Sequence, residues 1–110
     1  MKNFVNEGET VTLTAPYAVS SGGGLLVGSI FGVAAFDAAN GAQVEAKPEG
    51  VFDLTALSTD VATQGAKAYW DNTNKRVTVT ATSNTLIGVF LAAKANGDTT
   101  GRIYVDGVIR

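Results

Sequence analysis

The residues able to do chemistry are few, and their spacing favours turns over sites. Glu7 and Glu9 form the one close glutamate pair, which could act as acid and base if one carboxyl were shielded in a pocket. Standing ahead of the first strand-like run, they are expected to be solvated carboxylates instead. Asp71-Asn72-Thr73-Asn74 supplies oxygen atoms at short spacing, as a calcium loop does. Thr73 stands at its third position, however, and neither a glycine nor a later bidentate glutamate completes the pattern. Asp and Asn here suit a turn, where their side chains bond to local N–H groups. Gly23 and Gly28 have the separation of a phosphate-binding loop, but Ser29 and Ile30 occupy the places of its lysine and hydroxyl. The dinucleotide fingerprint fails as well, because Val27 replaces the third glycine after Gly22 and Gly24.

The chain of 110 residues contains neither histidine nor cysteine. That removes the commonest general base, the commonest metal ligand and the thiolate nucleophile together. No Gly-x-Ser-x-Gly elbow occurs, and the ordinary hydrolytic triad cannot be assembled without histidine. No catalytic residue, cofactor or metal is therefore expected. Eight basic against ten acidic residues give a net charge of −2, and the longest basic run is Lys75-Arg76. Binding to a nucleic-acid backbone needs a concentrated cationic face, so no nucleic-acid partner is expected. Thr10 to Phe36 carries no charge, yet Pro16, Ser20, Ser21 and Gly22 to Gly24 interrupt it. The remaining apolar piece is shorter than the roughly 20 residues a bilayer requires. The start, Met1-Lys2-Asn3-Phe4, leads into Glu7 and Glu9 and lacks the layout of a signal peptide. The chain reads as soluble and unprocessed, with no membrane partner.

The elements that must position these residues are short strands. Apolar residues make up 45% of the chain and charged ones 16%, enough for one core and too little charge for disorder. Thirteen glycines and two prolines, with many Thr and Val, favour tight turns between strands. Thr10 to Ala15 alternates as a half-buried strand, with Val11 and Leu13 on one face. Gly24, Gly28 and Gly32 lie four apart, but glycine costs a soluble helix ~1 kcal/mol each relative to Ala. Strands Leu25 to Val27 and Ile30 to Ala34 fit better, the glycines marking a bend, bulges or close approaches. Asn40-Gly41 turns into a strand over Ala42 to Ala46, and Pro48-Glu49-Gly50 turns into Val51 to Leu54. Leu57 to Gln64 lacks alternation and holds one helical turn or an irregular loop. Gly65 to Thr82 is a hairpin: Tyr69 and Trp70 end its first run, and Val77 and Val79 alternate with Thr78 and Thr80 in its second. Tyr69 and Trp70 must point to opposite faces, one inward and one toward solvent or a partner. Leu86 to Ala93 is an apolar run suited to a strand covered on both faces, and Arg102 to Val105 is the last strand. Turns recur about every ten residues. The expected fold is all-β: a small antiparallel sandwich or barrel of short strands with tight Gly/Asn/Asp turns and at most one short helical turn. Residues 1–9 form an amino-terminal arm, and 10–110 a single β domain.

Five blocks carry a resemblance over nearly the whole chain. They are Gly8 to Ala15, Gly28 to Ala34, the turn into Gly50 to Leu54, the stretch Gly65 to Val77, and Leu86 to Val89. In combination they resemble a family of small tailed-phage proteins encoded among head genes, the capsid cement or decoration proteins. The resemblance implies a non-enzymatic structural protein that binds the outside of the assembled capsid and stabilises it. It implies the major capsid protein as partner, a homo-oligomer (dimer or trimer), and a place on the outer surface of the virion after synthesis in the bacterial host cytoplasm. As a binding module it would use the arm, with Phe4, Val5, Glu7 and Glu9, at the interface; the enrichment of aromatic residues in interface anchors adds Tyr69 and Trp70, with core packing the commoner role for Trp70. Members of this family are often labelled RecA-type recombinases, and a nucleotide-dependent recombination factor is one alternative. Ser29, Ile30 and the short chain speak against it. A host-surface or glycan-binding β domain is another alternative.

Overall fold

The computed structural model describes residues 10–107. Nine strands follow one another: β1 (Val11–Thr14), β2 (Gly24–Val27), β3 (Ile30–Ala34), β4 (Gln43–Lys47), β5 (Glu49–Thr55), β6 (Lys67–Asp71), β7 (Arg76–Thr78), β8 (Thr85–Phe90) and β9 (Thr100–Asp106). They build a four-stranded sheet of order β1-β4-β3-β2 and a five-stranded sheet of order β5-β9-β8-β6-β7. All strand pairings are antiparallel. The larger sheet curls back on itself, and Ala56, just after β5, makes an isolated parallel bridge to Val77 of β7. The all-β, antiparallel expectation is met, and no helix occurs among the described residues.

The uncharged β2–β3 hairpin explains how the two sheets share their cores. On one face Phe31 and Val33, with Leu26 against them, join Trp70, Phe90, Ile103 and Val105 of the larger sheet. On the other, Leu25 and Ala34 pack with Leu13, Val44 and Ala46, together with Ala15 and Val19 of the loop between β1 and β2. Both faces are covered, so the buried strand positions of the hairpin do not tolerate a charge. Its turn uses Gly28 at φ +60°, a left-handed conformation that glycine adopts without steric cost. At Gly24 the need is for space: a Cβ would stand 2.7 Å from the Trp70 ring and 2.8 Å from that of Phe31. The close approach is thus to side chains, as it is at Gly32, whose Cβ would meet that of Ala46 at 2.8 Å.

Three local readings are corrected. β5 begins at Glu49, so Pro48 alone makes the bend and Glu49-Gly50 belongs to the strand; Gly50, at φ +134°, is held by a ladder that pairs Glu49 to Thr55 residue by residue with β9. The Val77 to Thr80 alternation stops after Thr78, which is itself buried because its hydroxyl donates to Asp60 Oδ2 at 2.6 Å. β8 ends at Phe90, beyond which Leu91, Ala92 and Ala93 are exposed instead of covered. The segment between Leu57 and Gln64 is an irregular loop without a helical turn.

Candidate binding surface

The outer face of the five-stranded sheet is built by period-two alternation. In β9, Gly101, Ile103 and Val105 point into the core, which sends Arg102 and Tyr104 outward. In β5, Leu54 is buried while Val51 and Asp53 are exposed. The register sets Val51 opposite Tyr104, Tyr104 opposite Val89, and Val89 opposite Lys67. One row across four strands therefore carries two exposed apolar side chains, Val51 at 50% and Tyr104 at 45% exposure, with half-buried Val89 between Tyr104 and Lys67. Beside it Arg102 donates to Asp53 through Nε at 3.0 Å and a terminal nitrogen at 3.3 Å. Those hydrogen bonds hold the Asp53 carboxyl below the usual aspartate range and keep both charges turned to each other.

Tyr69 lies on the same outer face, half-buried and opposite Leu86 and Thr78. Trp70 points inward at 2% exposure; its ring centroid lies 5.0 Å from that of Phe31, and its indole N–H donates to Asn72 Oδ1 at 3.1 Å. The structure does not bring Trp70 and Tyr69 to one surface. Phe4, Val5, Glu7 and Glu9 lie outside the described residues. Val51 and Tyr104 were not singled out by the sequence reading. An aromatic residue on the polar side of an alternating strand was the available signal for Tyr104, whereas its pairing with Val51 requires the β5–β9 register.

The turn between β6 and β7 uses its polar groups internally, while the buried Arg76 Nε makes no hydrogen bond and stands 3.9 Å from Asp71 Oδ2. Asp71 Oδ1 accepts from the backbone N–H of Thr73 at 3.0 Å and of Asn74 at 3.2 Å, and Oδ2 accepts from the Asn74 side chain at 2.8 Å. The Asn74 side-chain hydrogen bond leads in lowering the Asp71 pKa, with backbone N–H groups and Arg76 adding to it. This is a turn that uses its carboxylate internally. Lys75 donates to the Asn72 carbonyl and sits 4.4 Å from the centre of the Tyr17 ring. Gly24 to Val27 is strand and Gly28-Ser29 its hairpin turn, so these glycines do not lead into a helix as a phosphate-binding loop does. Among the described residues no three His, Cys, Asp or Glu side chains gather in a way that could hold a metal. A cavity of about 270 Å³ at one seam between the sheets is lined by Tyr17, Trp70, Asp53 and Lys75, whose charged groups are engaged as described.

The class these features define is a small all-β protein whose polar side chains stabilise its own turns and whose outer sheet face presents an apolar row. The chain belongs to the phage cement protein family, whose model matches residues 5–105, from ahead of β1 to within one residue of the end of β9. It is a structural phage protein. No curated protein and no solved structure matches this chain.

Proposed function

We propose that this cement protein binds the outer surface of the assembled capsid, where major capsid subunits meet, and stabilises the shell without catalysing a reaction. It acts there as a homo-oligomer, a dimer or trimer, after synthesis in the cytoplasm of the bacterial host. Family membership over residues 5–105 supports the phage role, and the Val51–Tyr104 row is the observation that carries the docking surface. Exposed valine and tyrosine on a rigid sheet provide contact area at low entropic cost, and aromatic residues are enriched in interface anchors. Tyr69 extends the same face, while Trp70 supports it from the core. The arm, with Phe4, Val5, Glu7 and Glu9, adds a second contact by strand addition to capsid protein. It leads into β1, which pairs only with β4 among the described strands and so offers an open edge.

Co-sedimentation with empty expanded shells tests this reading. The intact protein is expected to pellet with the shells, Tyr104→Asp to pellet less, and a variant lacking residues 2–9 to remain in the supernatant. Equal pelleting of all three would remove both contacts from the account.

A further inference from the structure

The two sheets are built alike. The order β1-β4-β3-β2 of the smaller matches β5-β9-β8-β6 in the larger, with the strands following in the same chain order. The loops match as well. Val19 bridges Ala38 in the first half and Ala62 bridges Lys94 in the second, both antiparallel. Three residues after each of these four stands a glycine with φ between +85° and +102°: Gly22, Gly41, Gly65 and Gly97. Each glycine N–H donates to the carbonyl four residues before the opposite bridge position. Gly22 reaches Ala34 O at 2.8 Å, Gly41 Ala15 O at 2.9 Å, and Gly65 and Gly97 reach Phe90 O and Ser58 O at 2.7 Å. Gly32-Val33 and Ala39-Asn40-Gly41 recur at equal spacing as Gly88-Val89 and Ala95-Asn96-Gly97. The halves are two versions of one four-stranded module, and β7 has no counterpart in the first.

β7 fills a definite place. It pairs antiparallel with β6, setting Val77 opposite Trp70, and Val77 bridges Ala56 in parallel, so β7 closes the gap between β5 and β6. Leu54, Trp70 and Val77 are buried there. Counted from the bridge residues, Val11 and Val27 correspond to Leu54 and Trp70, yet both are only half-buried. Among the described strands β1 pairs only with β4 and β2 only with β3. Tyr17 stands where Asp60 stands in the second half. Asp60 fastens β7 by accepting from Thr78 Oγ1 at 2.6 Å and the Val79 N–H at 3.0 Å, whereas the Tyr17 hydroxyl donates to Gly24 O of β2 at 2.8 Å. We infer that the gap between β1 and β2 is a docking site for an extended strand of capsid protein, running parallel to β1 with a β-branched apolar residue at its centre. The inference rests on the capsid-binding reading above and names its contact. β7 is the template, since its direction and inward Val77 define what fits. A chain doubling back from the start of β1 would run antiparallel to it, so the direction favours another polypeptide over residues 1–9.

A synthetic peptide with the β7 sequence, Asn72 to Thr80, tests the site on the full chain by NMR titration. The amides of β1 and of Leu26 and Val27 are expected to shift. A peptide carrying Val77→Asp should bind roughly tenfold more weakly or worse, because its carboxylate would enter an apolar site. Val51→Asp in the protein should leave peptide binding unchanged. No shift at saturating peptide, shifts confined to β5 and β6, or equal binding of the two peptides would overturn the site, and shells that still pellet with the protein would leave the capsid reading standing. A peptide bound at β1 and β2 beside shells that do not bind the protein overturns capsid protein as the occupant. Faster hydrogen exchange at the Leu26 amide on removal of residues 2–9 would assign the gap to the arm and overturn the proposal.

Discussion

At the scale of single residues, two side-chain environments make the sharpest predictions. Gly24 has no space for a methyl group between the Trp70 and Phe31 rings, so Gly24→Ala must displace one of them. Overpacking of this kind costs about 1–3 kcal/mol, which urea unfolding followed by Trp70 fluorescence would register as a lower midpoint. Asp71 is held below the usual aspartate value first by the Asn74 side chain. A depressed folded pKa gives stability that is present above the unfolded value and lost as pH falls through the folded one. Asp71 is therefore expected to titrate by NMR below the ~3.9 of a free aspartate. The hairpin should weaken only in acid below that range, and Asp71→Ala should remove that part of the acid dependence. The turn role of Asp71 was legible in the sequence, because an Asp followed by Asn-Thr-Asn acts on its own neighbours. The reason for Gly24 was not: its partner Trp70 reaches it only through packing of one sheet on the other.

At the scale of elements, what the sequence shows depends on whether local pattern or long-range pairing decides. The β2–β3 hairpin was legible except that β2 begins one residue earlier than expected, at Gly24, since a glycine turn between two apolar runs is a local signal. The start of β5 was not, because the turn preference of Pro48-Glu49-Gly50 yields to a seven-residue ladder with β9. The sheet-face row was half-legible: Ile103 and Val105 alternate visibly against Arg102 and Tyr104, but the register alone places Val51 beside Tyr104. Lys94 is the clearest case of hidden information. A single lysine among alanines suggests a solvated position, yet Lys94 is buried and its ammonium donates to the carbonyls of Ser58 and Asp60, tying the loop from Leu57 to Gln64 to the segment after β8. Lys94→Met should leave carbonyls of Ser58 and Asp60 without this donor and destabilise the protein by about 1–3 kcal/mol. Hydrogen exchange at the Ala62 and Gly97 amides, which bond to Lys94 O and Ser58 O, should accelerate more than at the β9 ladder. Equal acceleration at both would mean that Lys94 supports global stability instead of the loop from Leu57 to Gln64.

At the scale of the whole molecule, the proposed docking rests on the Val51–Tyr104 row of the five-stranded sheet and on the open edge that β1 gives the four-stranded sheet. Whether the protein seats on the exterior of the capsid is decided by electron microscopy of empty expanded capsids incubated with purified protein. Added density is expected on the outer surface where capsid subunits meet, with the Val51–Tyr104 face or the arm turned to the shell. Bare shells at saturating protein, or density confined to the interior, would contradict it.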